Sequence, residues 1–480
     1  ENVERALRIV DQHSEFLCAE IDELTDGAIQ SAGQRQKILD WAEQEYDFTI
    51  PNLQAETVQE LIDSNDTPAQ VRTLLQLRQG AARTSTAKLP KMLDCMDDSD
   101  DRVRGGLAFH AAATGRWGGR LVQPQNLPRP DTDPLPIVEM MELSKGDYAL
   151  FNAFYPNPSN AIKSTIRAMI IPEKGRRFIC ADLSSIEAIV AAWLAGQQKT
   201  LDTFANGDCL YCESAEGIYR KKINKKDNPD ERQVGKVCVL ALGYQGGIGA
   251  LATMAGAYGL SLLPVYDDLW NGNPGLQDSA LQSYERYIRT AAKPLPEKEA
   301  LAADILKSLW RNSNKAIVGY WYAVEKAFIN CIKTKQAQCV NMGQPNAVRF
   351  LWSSCGEFIS AVLPSGRKLQ YYKPAIKNDT PHHWRHNSMT NKFEFVGTYG
   401  GKLVENLTQA VSRDVMANGM MNAHRAGYWL NLTVHDELLT EMPEGDGSLT
   451  ELCELMVRPP AWAIGLPLRA DGWEGYRYRK

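Results

Sequence analysis

An α+β protein is what this sequence predicts, and three observations predict it. Apolar positions recur at helical spacing through roughly the first 110 residues. A short apolar run that ends in an acid, RRFICADL, follows a stretch broken by Gly and Pro. Strand patterns then return only beyond residue 355, behind a long and mostly helical middle. Helical arm, strands, helical insert, strands is the order expected of a sheet interrupted by an insertion.

The elements follow in order. QRQKILDWAEQEY repeats its apolar residues at three and four, and SNDTPAQVRTLLQLRQG opens with capping residues and stops at Gly80, so both are helices of the arm. From 105 to 130, GGLAFHAAATGRWGGRLVQPQNLPRP is punctuated into short strand-like pieces. RRFICADL is a buried strand, and SSIEAIVAAWLAG a helix closed by Gly196. The middle, about 197 to 345, is helical, with loops at NGNPG and AAKPLPEKE. Strands then come in FISAVLPSGRKLQYYKP, FEFVGTYGG and YWLNLTVHDELLTEMP, around one helix from Val404 to about Ala426. There is no repeat and no low-complexity tract.

Composition narrows the class. Of 480 residues, 44% are hydrophobic and 23% charged, a globular profile with several subdomains. No apolar run reaches the roughly 18 residues a membrane span needs, which points to a cytosolic protein. The chain opens on Glu1, without Met or a leader, and reads as a fragment or processed product. Ten scattered cysteines lack framework spacing and read as reduced thiols; Cys209 and Cys212 have CxxC spacing but no second pair at a zinc-ribbon interval. His382, His383 and His386 lie in a polar stretch that reads as a solvated loop. A net charge of −5 argues against nucleic acid unless local clusters supply the cations. Two clusters are candidates, Arg220 to Lys226 (RKKINKK) and Arg83, Lys88, Lys91, Arg102 and Arg104; either could equally be a solvated face.

The chemistry-bearing residues are dispersed. Asp182 ends a strand, where the sheet would hold a carboxylate rigidly, and His435 and Asp436 sit in VHDE as the turn of a hairpin between alternating runs. Two such acids brought together would suit a pair of hard Mg²⁺ ions. In ERQVGKVCVLALGYQGG, Arg232, Lys236, Leu240 and Tyr244 recur every fourth residue along one helix face. Two cations followed by an aromatic match a nucleoside triphosphate, phosphates first and base last.

Here the residues resemble family A (DNA polymerase I-like) DNA polymerases, and the phage-encoded branch in particular. DLSSIE (182–187) looks like the family's first catalytic motif, RxxxKxxxLxxxY (232–244) like its fingers-helix motif and VHDE (434–437) like its third. TGRW, QPQNLPR, LPSGR, GGKLVENLTQAVSRD and the terminal GWEGYRYRK resemble the phage branch in order and spacing, and the likeness runs from about Ser85 to the C-terminus.

The resemblance implies a right-hand fold with an antiparallel palm sheet: a thumb-containing helical region over 1–110, palm over 111–190 and 396–480, and fingers over 191–395. It implies Asp182, Asp436 and the carbonyl of Leu183 as metal ligands, with Glu437 an auxiliary acid. Arg232 and Lys236 would grip the triphosphate and Tyr244 close over the nascent pair, with Leu240 on the same helix face. Arg116, Gln125, Asn126, Gln409, His435 and Lys88 would contact DNA, reading shape rather than sequence. Glu187 would crowd the sugar 2′ position and select deoxyribonucleotides, although Ser184 and Glu187 also fit a capping box.

The implied activity is template-directed DNA synthesis for phage replication in the host cytoplasm, with two Mg²⁺ ions, or Mn²⁺ in their place. The implied partners are primer-template DNA, deoxynucleoside triphosphates and replisome proteins, and the implied state is a monomer. A single-subunit RNA polymerase-like enzyme and a catalytically inactive DNA-binding subunit are the alternatives; Glu187 argues against the first and the intact acids and cations against the second. Leu240 departs from the Phe or Tyr common in bacterial relatives, and Ile189 from a basic residue that often follows the first motif. No Asp-x-Glu on a strand precedes Thr114, so these residues are expected not to proofread.

Overall fold

The computed structural model describes residues 1–81, 86–342, 347–387 and 390–479. Arg83, assigned above to a basic cluster, lies outside them. A helix over Asn2–Leu24 runs through the N-terminal arm. Its apolar residues come at three and four, and the stripe serves two cores in turn: Ala6, Ile9 and Val10 pack with Leu89, Met141 and Phe151, while Ile21 packs with Ile38, Val71 and Leu74. The two helices read from sequence are present at Arg35–Tyr46 and Ala69–Gly80. The Gly- and Pro-rich stretch that follows forms only a two-residue ribbon, β1 (Leu107–Ala108) on β2 (Gly118–Gly119).

The central sheet joins β3 (Arg176–Leu183) to strands that arrive some 250 residues later, as the interrupted-sheet reading expects. Between them come the six strands of a second sheet: β4 (Gln338–Val340), β5 (Val348–Trp352), β6 (Phe358–Val362), β7 (Lys368–Lys377), β8 (Thr380–Asn387) and β9 (Lys392–Gly397). The central sheet is completed by β10 (Trp429–Val434), β11 (Glu437–Pro443) and β12 (Ala470–Gly475), in the order β10-β11-β3-β12, antiparallel throughout. Both faces of β3 are covered, which is why FICA is a continuous apolar run. Ile179, Ala181 and Leu183 face the large core, where helix Leu449–Met456 packs against the strand, while Phe178 and Cys180 meet Val434, Leu439 and Tyr478.

The second sheet is a meander in strand order, with Phe350 and Tyr371 packed on Phe328 of helix Lys315–Thr334. It corrects the sequence reading at two places. The segment 338–352, placed largely in the helical middle, supplies β4 and β5. The histidine-rich stretch, read as a solvated loop, is β8. A two-residue turn makes it so: Asn378 and Asp379 both adopt positive φ, as a tight hairpin requires, and these are the residues that tolerate it best after glycine. Cross-strand rings then hold the register, Tyr371 meeting His383 edge-on and Trp384 packing on Phe395.

The polar clusters also resolve. Arg102 ion-pairs with Glu441 at 2.8 Å, and Arg104 reaches Asp97 and Asp100, so this part of the loose basic cluster is neutralised within the fold. Lys221 and Lys222 of the RKKINKK run pair with Glu231 and Glu216. All ten cysteines are free thiols. Among the described residues no helix is long and apolar enough to cross a membrane.

Candidate active site

The end of β3 and the β10–β11 hairpin form the site. Asp182 is the cross-strand partner of Glu437, and the N–H of Leu183 donates to the Asp436 carbonyl at 3.0 Å. Two acids 254 positions apart in the chain therefore stand at one end of one sheet. The hairpin turn is only His435 and Asp436, and His435 is held at φ 55°, a left-handed conformation uncommon for residues other than glycine. Glu437 is enclosed instead of open, 1% exposed, with the Tyr478 hydroxyl donating to its Oε1 at 2.8 Å. Burial is the main cause that pushes the Tyr478 hydroxyl far above the ordinary tyrosine range, and the Glu437 charge adds to it.

Arg116 joins the acids to the neighbouring helix. Its guanidinium donates to Glu187 Oε1 and lies 3.6 Å from Asp436 Oδ1. Glu187 Oε2 accepts from the Tyr244 hydroxyl at 3.2 Å. Burial first, then the Glu187 charge, raise Tyr244 well above its usual value, so it is a hydrogen-bond donor at any working pH. The capping box is not made. The N-cap of this helix is Ser185, itself at φ 50° and with no side-chain capping bond, and the Glu187 carboxylate is spent on Arg116 and Tyr244.

Arg232, Lys236 and Leu240 lie on helix Pro229–Leu242, while Tyr244 falls two residues past its end, in the following turn. The two cations rest on aromatic faces: Arg232 lies 5.3 Å from the Tyr211 ring centre and Lys236 4.2 Å from that of Tyr258. Leu240 is 37% exposed. Close packing fixes this segment at both ends. A methyl group on Gly235 would strike the Tyr211 carbonyl, and one on Gly401 the carbonyl of Tyr244, where Gln245 also accepts from the Gly401 N–H at 2.8 Å.

The expected DNA contacts divide into two groups. Gln125, on the short turn Pro124–Asn126, lines one small cleft with Arg116, His435 and Asp436. Its Oε1 is buried without a hydrogen-bond partner among the described residues. Asn126 beside it donates to Gln123. Gln409 is on helix Gly400–Arg425 and donates to Glu405 at 3.3 Å. Lys88 is apart from them, opening the helix Lys88–Asp94 in the N-terminal arm.

Sequence reasoning assigned no role to Arg367 and Arg413, although both lie inside motifs it singled out. Arg367 donates to the carbonyls of Thr114 and Ala410 and to Asp414, and Arg413 donates to Gly115 and stacks on Trp117. Together they fasten the TGRW loop, and so Arg116, to helix Gly400–Arg425. The signal was their place in LPSGR and VSRD, but which loop they would hold is a long-range fact.

A model of DNA polymerase family A matches residues 2–258, more than half of the chain. The chain belongs to DNA polymerase family A. It is similar to the DNA polymerase of Bacillus phage SP02, 35% identical over all of this chain and 67% of that protein. Its fold is similar to the polymerase domain of Pol1 from M. smegmatis, solved with DNA primer-template and dNTP, at a TM-score of 0.57 and 16% identity over 98% of this chain and 66% of that one. The chain thus spans about two thirds of each relative's length. This family A polymerase has the right-hand α+β fold and is a DNA-directed DNA polymerase, the first of the three readings above.

Proposed function

We propose that Asp182 and Asp436 hold the divalent metals of this polymerase, and that the Arg232–Tyr244 segment binds the incoming deoxynucleoside triphosphate. The observation that carries this is the register of β3 against the hairpin, tied by the Leu183–Asp436 backbone bond, which brings the two acids to one end of one sheet, with Arg116 beside Asp436. The donors suit Mg²⁺, which takes one or two carboxylates and completes its shell with water and substrate phosphate. No cluster of three His, Cys, Asp or Glu able to hold a metal occurs among the described residues. Two bound Mg²⁺ ions supply an acidified primer 3′-OH and a neutralised pyrophosphate leaving group.

The remaining work is positioning. Arg232 and Lys236 meet the phosphates with charge, and Tyr244 offers its ring to the base while its hydroxyl keeps Glu187 in place. Glu187 then crowds the sugar 2′ position. Gln125, Asn126, Gln409 and His435 meet the duplex near the primer end, with Lys88 reaching it from the arm, and Glu437 supports the hairpin from beneath. In this reading residues 1–110 contain the thumb, 111–190 and 396–480 are palm and 191–395 fingers. The partners are primer-template DNA and replisome proteins, and the enzyme acts as a monomer copying phage DNA in the host cytoplasm. Primer extension with Mg²⁺, comparing deoxy- and ribonucleotides, tests it. DNA products from deoxynucleotides that vanish in Asp182→Ala and Asp436→Ala are expected, and near-normal extension by either variant would overturn the assignment.

A further inference from the structure

The second sheet has a face that polymerase chemistry does not use. One face of β5 to β7 is sunk in the large core through Phe350, Ile359, Leu369 and Tyr371. The opposite face carries a row of rings across four strands, because Phe358 pairs with Tyr372, Tyr372 with Trp384 and Trp384 with Phe395. At about 4.8 Å per strand the row spans roughly 14 Å. A second row, His386 opposite Phe393, lies beside it. The rings brace one another, with centres 5.1 Å apart for Phe358 and Tyr372 and 5.5 Å for Trp384 and Phe395, yet they are not covered: Phe393 is 61% exposed and Trp384 39%.

Charge separates this face from the rest of the chain. The chain carries a net −5, but Arg349, Lys368 and Lys377 project from this face and no strand position on it, among the described residues, is Asp or Glu. Glu357, at its margin, is paired with Lys373. Glu394 pairs across the strands with Arg385, on the other face. The β6–β7 turn also anchors the sheet at the active site, since Arg367 binds Thr114 beside Arg116. Tyr372 follows five residues on, about 17 Å along β7.

We propose that this face binds single-stranded DNA, the unpaired template of the primer-template, with bases stacked on the rings and phosphates met by Arg349, Lys368 and Lys377. A sheet presenting adjacent aromatic rings with flanking cations is how single strands are held without sequence preference, since every base has a stacking face. Protein interfaces are depleted of lysine, whereas here the rings alternate with Lys, Gln and His and are flanked by Lys368 and Lys377. The proposal extends the polymerase reading but is read in binding, so it does not depend on which acids carry catalysis.

The test compares hairpin primer-templates with 5′ template overhangs of about 2 and about 12 nucleotides, the longer within the roughly 4–16 that such platforms cover. The wild-type chain should bind the longer overhang more tightly. Trp384→Ala with Phe393→Ala should reduce that gain at least about five-fold while leaving affinity for the short overhang unchanged, and Trp384→Phe should retain it. Lys368→Glu with Lys377→Glu, both at exposed positions, should lower the salt dependence of long-overhang binding by about 1.4 in log–log slope, and this variant decides the matter if the aromatic one folds poorly. A wild type without the gain, or a gain surviving in both variants, overturns the proposal. So does a self-association, seen by sedimentation, that both variants abolish with the overhang gain intact; the face would then be a protein interface.

Discussion

The two sheets of this polymerase are built on opposite plans. The central sheet takes its neighbours from distant parts of the chain and places carboxylates on its strands, with Asp182 opposite Glu437 and Glu441 wholly buried. The outer sheet is a run of consecutive hairpins whose open face has rings and cations and, among the described residues, no carboxylate. A buried acid is tolerable only where a donor is fixed beside it. Central strands acquire such donors because the surrounding chain is packed against them: Tyr478 for Glu437, and Arg102, Asn431 and the Glu173 N–H for Glu441. The outer sheet has solvent on one side and needs none. Its register rests on ring contacts instead.

On this division, the largest effect belongs to the central sheet's open end. Asp182→Ala or Asp436→Ala should cost primer extension more than the 10–100-fold typical of losing an outer-sphere partner of a metal, with primer-template binding retained. Extension assays beside a gel-shift titration check both halves, and comparable losses from outer-sheet variants would break the comparison.

Next in size, Arg102→Ala should destabilise the fold by about 2–3 kcal/mol, somewhat below a fully buried pair because Arg102 is a third exposed. Burial alone would raise the Glu441 carboxyl, but its bonds to Arg102, Asn431 and Glu173 hold it below the ordinary range. A depressed acid stabilises fully above its unfolded value of about 4.3 and loses that contribution as pH falls through the lower folded value. The gap between wild type and Arg102→Ala, measured by urea unfolding, should therefore narrow in acid. A gap that widens below pH of about 4 would show that Glu441 is not the partner that matters.

Lys236→Ala removes a charge-assisted contact of about 1.5–3 kcal/mol, so incorporation at limiting nucleotide should slow by roughly 10- to 150-fold. Single-turnover kinetics over a range of nucleotide concentrations gives the value, and unchanged rates would remove this helix from the site.

The smallest effect sharpens the boundary between packing and chemistry. Glu187→Ala should raise ribonucleotide use relative to deoxyribonucleotide with little change in melting, since the carboxylate caps no helix and binds Arg116 and Tyr244. An early-melting variant with unaltered sugar preference would restore the capping role.

What the sequence by itself determined is what local pattern encodes. Helical spacing set the arm, and the apolar run of RRFICADL marked a strand covered on both sides. Alternation around His435 and Asp436 marked the hairpin. Every fourth residue from Arg232 to Leu240 marked one helix face, although the helix stops before Tyr244, which lies in a turn that Gly401 packs against. The tertiary structure alone decided which partners those side chains meet. Ser184-x-x-Glu187 satisfies the local rule for a cap, yet Arg116 and Tyr244 outcompete it because they arrive from 71 and 57 residues away with better donors for a carboxylate. The polar HHWRH stretch carries no hydrophobic alternation, and it becomes a strand because β7 and β9 offer it hydrogen bonds and rings on both sides. Strand pairing is a contact between distant residues, and no window along the chain contains it.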